Sequence, residues 1–267
     1  MATLCFNVFN ESGWFGGTPD LPRLIHAAAA AGFDSLGLDV FSLERHARAG
    51  GRVEEVAKWV EASGLRCAEI ASLVIGPDPA EVDAQLAGLL PLVRALRPDW
   101  VLTNADVPPD ARAASELRRC AERIGALGSR LAIEFLPFMR VGSIGAALEL
   151  IERADVDAGV LVDTWHFFHG PDGWDELEAL PLARLAYVQF DDHPALESTD
   201  LREECLHRRV FPGEGLFDLE RFCASLLARG WDGLVSVEVL SRAWRGGDLE
   251  AFARRAYETS APYWRGP

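Results

Sequence analysis

Lysine is almost missing from this 267-residue chain: Lys58 is the sole one, so arginine supplies the other 25 of the 26 basic residues. Lys58 falls in a helix-period run, Val53 to Glu61, which leaves a Schiff-base mechanism without a nucleophile. Cysteine is sparse: Cys5, Cys67, Cys120, Cys205 and Cys223 are odd in number and never spaced as CxxC. That excludes a disulfide framework and a thiolate zinc site and fits reduced thiols. No apolar run approaches the roughly 18 residues of a transmembrane helix. Met1 to Asn10 has neither the basic flank nor the apolar stretch of a signal peptide, so the expected location is the cytoplasm. There the sequon Asn10-Glu11-Ser12 has nothing to act on it. Neither GxGxxG nor GxxxxGK[ST] occurs, which removes the dinucleotide and P-loop chemistries. Positive charge is also in deficit. With 41 acidic against 26 basic residues the net charge is −15, and nucleic acid and membrane surfaces are excluded as partners.

What remains is an ordinary globular composition, 49% hydrophobic and 25% charged, able to bury a full core. The length suits one domain over residues 1–267. Short β-branched or apolar runs alternate with helix-period segments throughout. Strands are expected at Leu4 to Phe9, Ser35 to Val40, Arg66 to Ala71, Trp100 to Thr103, Leu131 to Leu136, Gly159 to Asp163, Leu185 to Phe190 and Leu234 to Leu240. Helices are expected near Leu21 to Ala31, Val53 to Ser63, Pro79 to Leu96, Ala111 to Leu127, Ile144 to Ala154, Asp175 to Leu180, Leu219 to Arg229 and Leu249 to Ser260. Thr18-Pro19, Asp78-Pro79, Asp110 and Ser143 read as helix starts. Strand–helix repeated eight times without a linker predicts a parallel (β/α)8 TIM barrel. The stretch from Phe190 to Leu219 has no clear period and carries His193, His207, Arg208, Arg209 and the turn Pro212-Gly213-Glu214-Gly215. A loop of that length is expected to be functional, ordered over the barrel mouth.

In such a barrel the C-terminal strand ends carry the chemistry. Four consecutive runs are apolar except for one side chain each: Glu134, Asp163, Gln189 and Glu238. A carboxylate in a buried strand is costly unless a positive charge sits beside it. The bland explanation is an arginine beside each acid. Four oxygen-bearing residues at once point instead to a divalent cation, with Mn²⁺ favoured, Mg²⁺ as the alternative and Co²⁺ compatible. His166, three residues after Asp163, is placed to contact substrate, and His207 and Arg209 to offer polar groups to substrate oxygens. His193 is a weaker candidate, and His26 and His169 read as structural. Trp14, Trp165, Phe168 and Trp244 are candidates to wall a pocket, Trp165 as a substrate contact, although aromatics at such positions also serve as core. Arg245-Gly246-Gly247 lies where barrels often bind phosphate, but Asp248 is placed to cap the next helix.

These residues resemble the xylose isomerase-like, or sugar phosphate isomerase/epimerase, family. The likeness covers nearly the whole chain and is most specific from Glu134 to Glu238. It implies a metal set of Glu134, Asp163, Gln189 and Glu238, an Asp-x-x-His element at Asp163 and His166, and an arginine, Arg209, ahead of the Pro-Gly-x-Gly turn. Many ketose epimerases of the family have histidine where this chain has Gln189; glutamine with His207-Arg208-Arg209 is closer to 3-dehydroshikimate dehydratases. After strand three, however, Ala71-Ser72-Leu73-Val74-Ile75-Gly76 offers no cation for a substrate carboxylate, which favours a neutral hydroxy-ketone. The family's multi-zinc DNA-repair branch is a poor match, with six histidines and an acidic surface.

The resemblance implies a polyhydroxylated keto substrate. The metal would polarise its carbonyl, and Glu134 and Glu238 would act as base or acid toward an enediolate, with His166 shuttling a proton. Reprotonation gives isomerisation or epimerisation, and loss of a β-hydroxyl gives dehydration of 3-dehydroshikimate or inosose type. The isomerase/epimerase outcome is favoured. A metal-binding subunit of a heteromeric lyase, or a non-catalytic binding module, stays open, as does assembly into a homo-oligomer.

Overall fold

The computed structural model describes residues 1–265. In chain order its elements are β1 (Thr3–Asn7), α1 (Leu21–Ala31), β2 (Ser35–Asp39), α2 (Val40–Arg48), α3 (Val53–Ala62), β3 (Arg66–Ile75), α4 (Pro79–Leu96), β4 (Trp100–Ala105), α5 (Ala111–Gly125), β5 (Arg130–Glu134), α6 (Ile144–Ala154), β6 (Ala158–Asp163), α7 (Thr164–His169), α8 (Trp174–Ala179), β7 (Leu185–Phe190), α9 (Leu201–His207), α10 (Leu219–Leu227), β8 (Leu234–Val237) and α11 (Leu249–Arg265). Short 3₁₀ turns occupy Val8–Glu11, Gly13–Phe15 and Leu182–Arg184. The strands form a closed barrel in chain order. Its β1–β2, β1–β8, β3–β4, β4–β5 and β5–β6 ladders are parallel.

The chain divides into two compact units, Ala68–Val188 and Met1–Cys67 with the chain from Gln189 on. In the first, every residue of β4 and β6 is buried, the pattern of parallel strands covered on both faces. The helices beside them are amphipathic: α5 buries Ala113, Ala114, Leu117, Cys120 and Ile124, at helical spacing. Its start is fixed by Asp110, whose carboxylate accepts from Arg112 N and Ala113 N at 3.0 and 2.9 Å. Ser143 caps α6 in the same way. In the second unit, Phe6 of β1 packs against Phe33 at 5.4 Å and Phe252 of α11 at 6.1 Å, and Phe252 meets Phe211 at 5.2 Å. This aromatic cluster ties the first strand to the last helix.

Eight strands and eight helices fall where the sequence places them, most of them with shifted ends. β3 runs on to Ile75, with a register shift against β4 between Ile70 and Leu73. β1 stops at Asn7, because the Asn7 side chain accepts from Phe9 N and turns the chain into a 3₁₀ turn. Asp20, rather than Thr18, caps α1. Three helices have no counterpart in the sequence reading: α2, α7 and α9. Each is six to nine residues long, too short to show a period. The first two begin directly at a strand end, where one aspartate, Asp39 or Asp163, both ends the strand and caps the helix. The long connection before α10 is ordered: it contains α9 and is pinned by bridges Asp192↔Val210 and Arg208↔Ser241.

Candidate active site

In the Ala68–Val188 unit, Glu134 and Asp163 are the last residues of β5 and β6, and His166 lies in the first turn of α7. All three are buried, at 6%, 0% and 1% exposure. One ligand atom from each lies within 4.8 Å of the others. Asn104 near the end of β4 donates its Nδ2 to Glu134 Oε2 at 2.7 Å, and His166 Nε2 sits 3.3 Å from Glu134 Oε1. Asp163 Oδ1 accepts from His166 N at 3.2 Å, so the cap that starts α7 also fixes the imidazole's backbone. Trp165 and Phe138 meet the His166 ring at 5.4 and 6.1 Å. Its Nδ1 is buried with no hydrogen-bond partner among the described residues. Two carboxylates and an imidazole, packed this closely in a dry setting, form a donor set suited to a divalent cation. Trp165 is fully buried, its ring 4.6 Å from that of His169.

In the other unit, Gln189 of β7 and Glu238, one residue past β8, are again buried strand-end groups. Glu238 Oε1 accepts from Asn7 Nδ2 at 2.9 Å and from Gln189 Nε2 at 3.1 Å. Gln189 Oε1 is a buried acceptor with no hydrogen-bond partner among the described residues. Arg209, 1% exposed, brings Nη1 to 3.4 Å from Glu238 Oε2. An arginine thus does stand beside this one acid.

The ordered connection is held by three consecutive residues. Asp191 Oδ2 accepts from Arg209 Nη1 at 2.6 Å. Asp192 accepts from four backbone groups, His193 N, Gly213 N, Gly215 N and Phe217 N, at 2.8 to 3.1 Å, which shapes the Pro212-Gly213-Glu214-Gly215 turn. His193 Nε2 lies 3.3 Å from the buried Glu204 of α9. Burial lowers the His193 pKa from its ordinary value, since a charged ring would lose its water. Burial opposes ionisation of Glu204 too, yet Arg208 and the backbone N–H groups of Glu197 and Ser198 outweigh it and lower that carboxyl's pKa. His207 ends α9, with Nε2 3.6 Å from Glu203 and Nδ1 3.2 Å from Arg245 Nη1. Its pKa is lowered by burial and then by Arg242.

The other expected aromatics divide. Trp14 is 55% exposed, Phe168 packs on Phe167 and Trp174, and Trp244 packs on Phe211 and Phe252 in the core cluster. At Arg245-Gly246-Gly247, Gly246 N already donates to Glu11 Oε2 at 2.9 Å, and Asp248 accepts from Ala251 N at 3.0 Å. The sequence reading missed Asn7, Asn104, Asp191 and Glu204. Asn7 follows the same pattern as the acids, one polar side chain within the apolar run Leu4 to Phe9, while Asn104 is less marked because the polar Thr103 precedes it. Asp191 and Glu204 lie among many charges and carry no such mark.

Residues 25–263 match the family described as "Xylose isomerase-like TIM barrel". Over 169 residues the chain is 34% identical to a 3-dehydroshikimate dehydratase of Pseudomonas aeruginosa, covering 61% of this chain and 26% of that protein. The chain therefore spans about a quarter of that dehydratase's length. It is 25% identical over 191 residues to an inosose isomerase of Halalkalibacterium halodurans, 67% of each chain. Among solved structures, the IOLI protein with a binding zinc atom superposes with a TM-score of 0.84 at 18% identity, over 98% of this chain and 97% of that one. With the match spanning most of its length and its strands closed in one barrel, the chain belongs to the xylose isomerase-like TIM barrel family.

Proposed function

We propose that the chain is a divalent-metal-dependent isomerase or epimerase of a neutral, cyclitol-like or sugar-like hydroxy-ketone. The observation that carries this reading is the buried Glu134, Asp163 and His166 cluster, whose ligand atoms lie within 4.8 Å of one another. Glu134 and Asp163, with Gln189 and Glu238, are the residues that would hold the ion. Gln189 Oε1, a buried acceptor with no hydrogen-bond partner among the described residues, is a ligand atom of the right chemistry, and the zinc of the IOLI protein supports a divalent ion. Mn²⁺ suits the oxygen-rich set best, and the proximity of His166 widens the choice toward Co²⁺ and Zn²⁺. Such an ion, when bound, polarises a substrate carbonyl and acidifies the neighbouring C–H.

The chain's own groups do the proton work. Glu134, oriented by Asn104, takes the α-proton and leaves an enediolate, and Glu238, oriented by Asn7 and Gln189, returns a proton. His166, 3.3 Å from Glu134, relays protons to it. Burial of these groups keeps water from quenching the carbanionic species. Trp165 holds the imidazole and shapes the wall beside it, and His207 offers a polar contact to substrate.

A second reading is dehydration of a substrate of 3-dehydroshikimate or inosose type. It is favoured by Gln189 and by the 34% identity to a 3-dehydroshikimate dehydratase. Both readings are tested together. Purified protein is analysed for bound metal, and inosose and 3-dehydroshikimate are incubated with it in D₂O. Exchange of the α-proton of inosose without loss of water establishes the isomerase reading, and protocatechuate-type aromatisation of 3-dehydroshikimate establishes the other. Glu238→Gln and Asp163→Asn each weaken Mn²⁺ binding at least tenfold. Wild-type affinity in both variants overturns the site.

A further inference from the structure

His207 ends α9 with a guanidinium beside one ring nitrogen and a carboxylate near the other. Nδ1 lies 3.2 Å from Arg245 Nη1. Nε2 stays 3.6 Å from Glu203 Oε2, beyond hydrogen-bond reach, and Glu203 is engaged by Arg242 Nη1 at 2.8 Å. Arg245 is held where it is. Its Nη2 donates to Leu206 O at 3.0 Å, and its guanidinium carbon sits 3.3 Å from the centre of the Phe15 ring, which in turn packs 5.8 Å from the His207 ring. The backbones are tied as well: Arg242 N donates to His207 O at 2.9 Å, and Arg208 bridges to Ser241. An arginine side chain has five N–H donors and no acceptor, and it keeps its charge in proteins. An Nδ1–H at 3.2 Å from it would set donor against donor. Nδ1 must therefore offer its lone pair, which leaves the proton of the neutral ring on Nε2.

The structure assigns Arg245 as a positioning residue that holds His207 in one tautomer, neutral and with its proton on Nε2. A ring in that state meets a substrate carbonyl or hydroxyl oxygen as a hydrogen-bond donor and takes no proton through Nε2. The inference rests on the substrate contact proposed for His207 and fixes its polarity, leaving the base work to carboxylates. The charged groups facing the ring act in the same direction. Burial and then Arg242 lower the His207 pKa, and Arg245 adds to them against the pull of Glu203 from the ring's own helix. Glu11 in turn supports the charge on Arg245. Without the guanidinium, Glu203 is too distant to choose between the ring nitrogens, and the Nδ1–H form returns.

NMR of the full chain carrying nitrogen-labelled histidine reads the protonation of each ring nitrogen, and the His207 signals are identified by their loss in His207→Gln. In wild type, His207 shows Nε2–H alone above pH 6.5 and titrates below that value. Arg245→Met raises the Nδ1–H population at least fivefold and moves the titration to higher pH. A wild-type ring with its proton on Nδ1 overturns the proposal without any variant. So does an Arg245→Met protein whose Nδ1–H population and titration midpoint match those of wild type, the result that a packing role alone predicts. These spectra need neither metal nor substrate, so they are independent of the proposed function: a chain that shows Nε2–H yet exchanges no proton of inosose loses the isomerase reading and keeps the positioning. Where exchange is found, Arg245→Met raises KM for inosose at least threefold, and a fall in kcat at unchanged KM overturns the donor role of His207.

Discussion

Asp192 does more structural work than any residue that the sequence singles out in the long connection. Four backbone N–H groups converge on its carboxylate, and its own backbone pairs with Val210 in both directions at 3.1 and 2.9 Å. The turn it organises needs glycine at one place above all. A Cβ on Gly215 would lie 2.2 Å from Asp192 Oδ1 and 2.5 Å from both His193 N and His193 O. Gly215→Ala must therefore push the carboxylate off its donors, and it destabilises the chain by about 2–3 kcal/mol, the upper range for overpacking, in urea unfolding. At Gly213, where φ is +85°, a side chain is strained as well, by about 1–2 kcal/mol for a left-handed L residue, a smaller loss than at Gly215. An unfolding midpoint unchanged by Gly215→Ala would show that Asp192 is not the turn's anchor. At this scale the sequence is informative wherever a polar side chain interrupts an apolar run, as with Glu134, Asp163, Gln189 and Glu238. It is silent about Asp191 and Asp192, whose importance comes from partners 18 and 23 residues away.

The elements repeat that contrast. Helices with a full amphipathic face and an N-cap, such as α1, α4 and α6, have the bounds that their sequence period predicts, while α7 and α9 arise from capping and tertiary contacts. Of these, α9 is held by charge: Glu204 accepts from Glu197 N and Ser198 N at 3.1 and 2.8 Å and faces His193 and Arg208. Buried charge of this kind ties the segment's stability to pH. His193 has its pKa lowered from 6.5 by burial, against the pull of Glu204 and with Arg208 and Arg209 adding to the lowering. The unfolded chain then holds more protons on this residue than the folded chain. Stability is fully present above pH 6.5 and is lost as pH falls from there toward the lowered value, by at most about 1.4 kcal/mol per pH unit. Glu204, lowered from 4.5, adds a second loss of the same sign beginning below pH 4.5. Urea unfolding of wild type and His193→Gln between pH 7.5 and 5 checks the first step on its own, because His207 titrates in both proteins. The variant's profile is flatter over that window. Equal slopes would mean that His193 is no more reluctant to charge when folded than when unfolded.

For the whole molecule, the net charge of −15 makes folding self-repulsive, and any cation relieves that repulsion by screening. A resident divalent ion does something different. An ion held only by the folded chain stabilises it by RT ln(1 + [L]/Kd), about 2.7 kcal/mol at a hundredfold excess over Kd. For a chain of this length that raises the melting temperature by about 5–10 °C. The two effects separate experimentally. Protein stripped with EDTA is melted in calorimetric scans with Mn²⁺, and again with NaCl at matched ionic strength. Wild type gains the additional 5–10 °C only with Mn²⁺, whereas in Asp163→Asn and Glu238→Gln that additional gain falls by about half or more. Asp163→Asn also tests the coupling of ion to fold, because the same carboxylate caps α7. Its amide oxygen still accepts from His166 N, so the helix survives while the charge is lost. A Mn²⁺ gain no larger than that of NaCl in wild type would leave the barrel intact and remove the ion from it. The buried Glu134, Asp163 and His166 cluster would then be a strand-end hydrogen-bond network, and the chain a binding module on the family's scaffold.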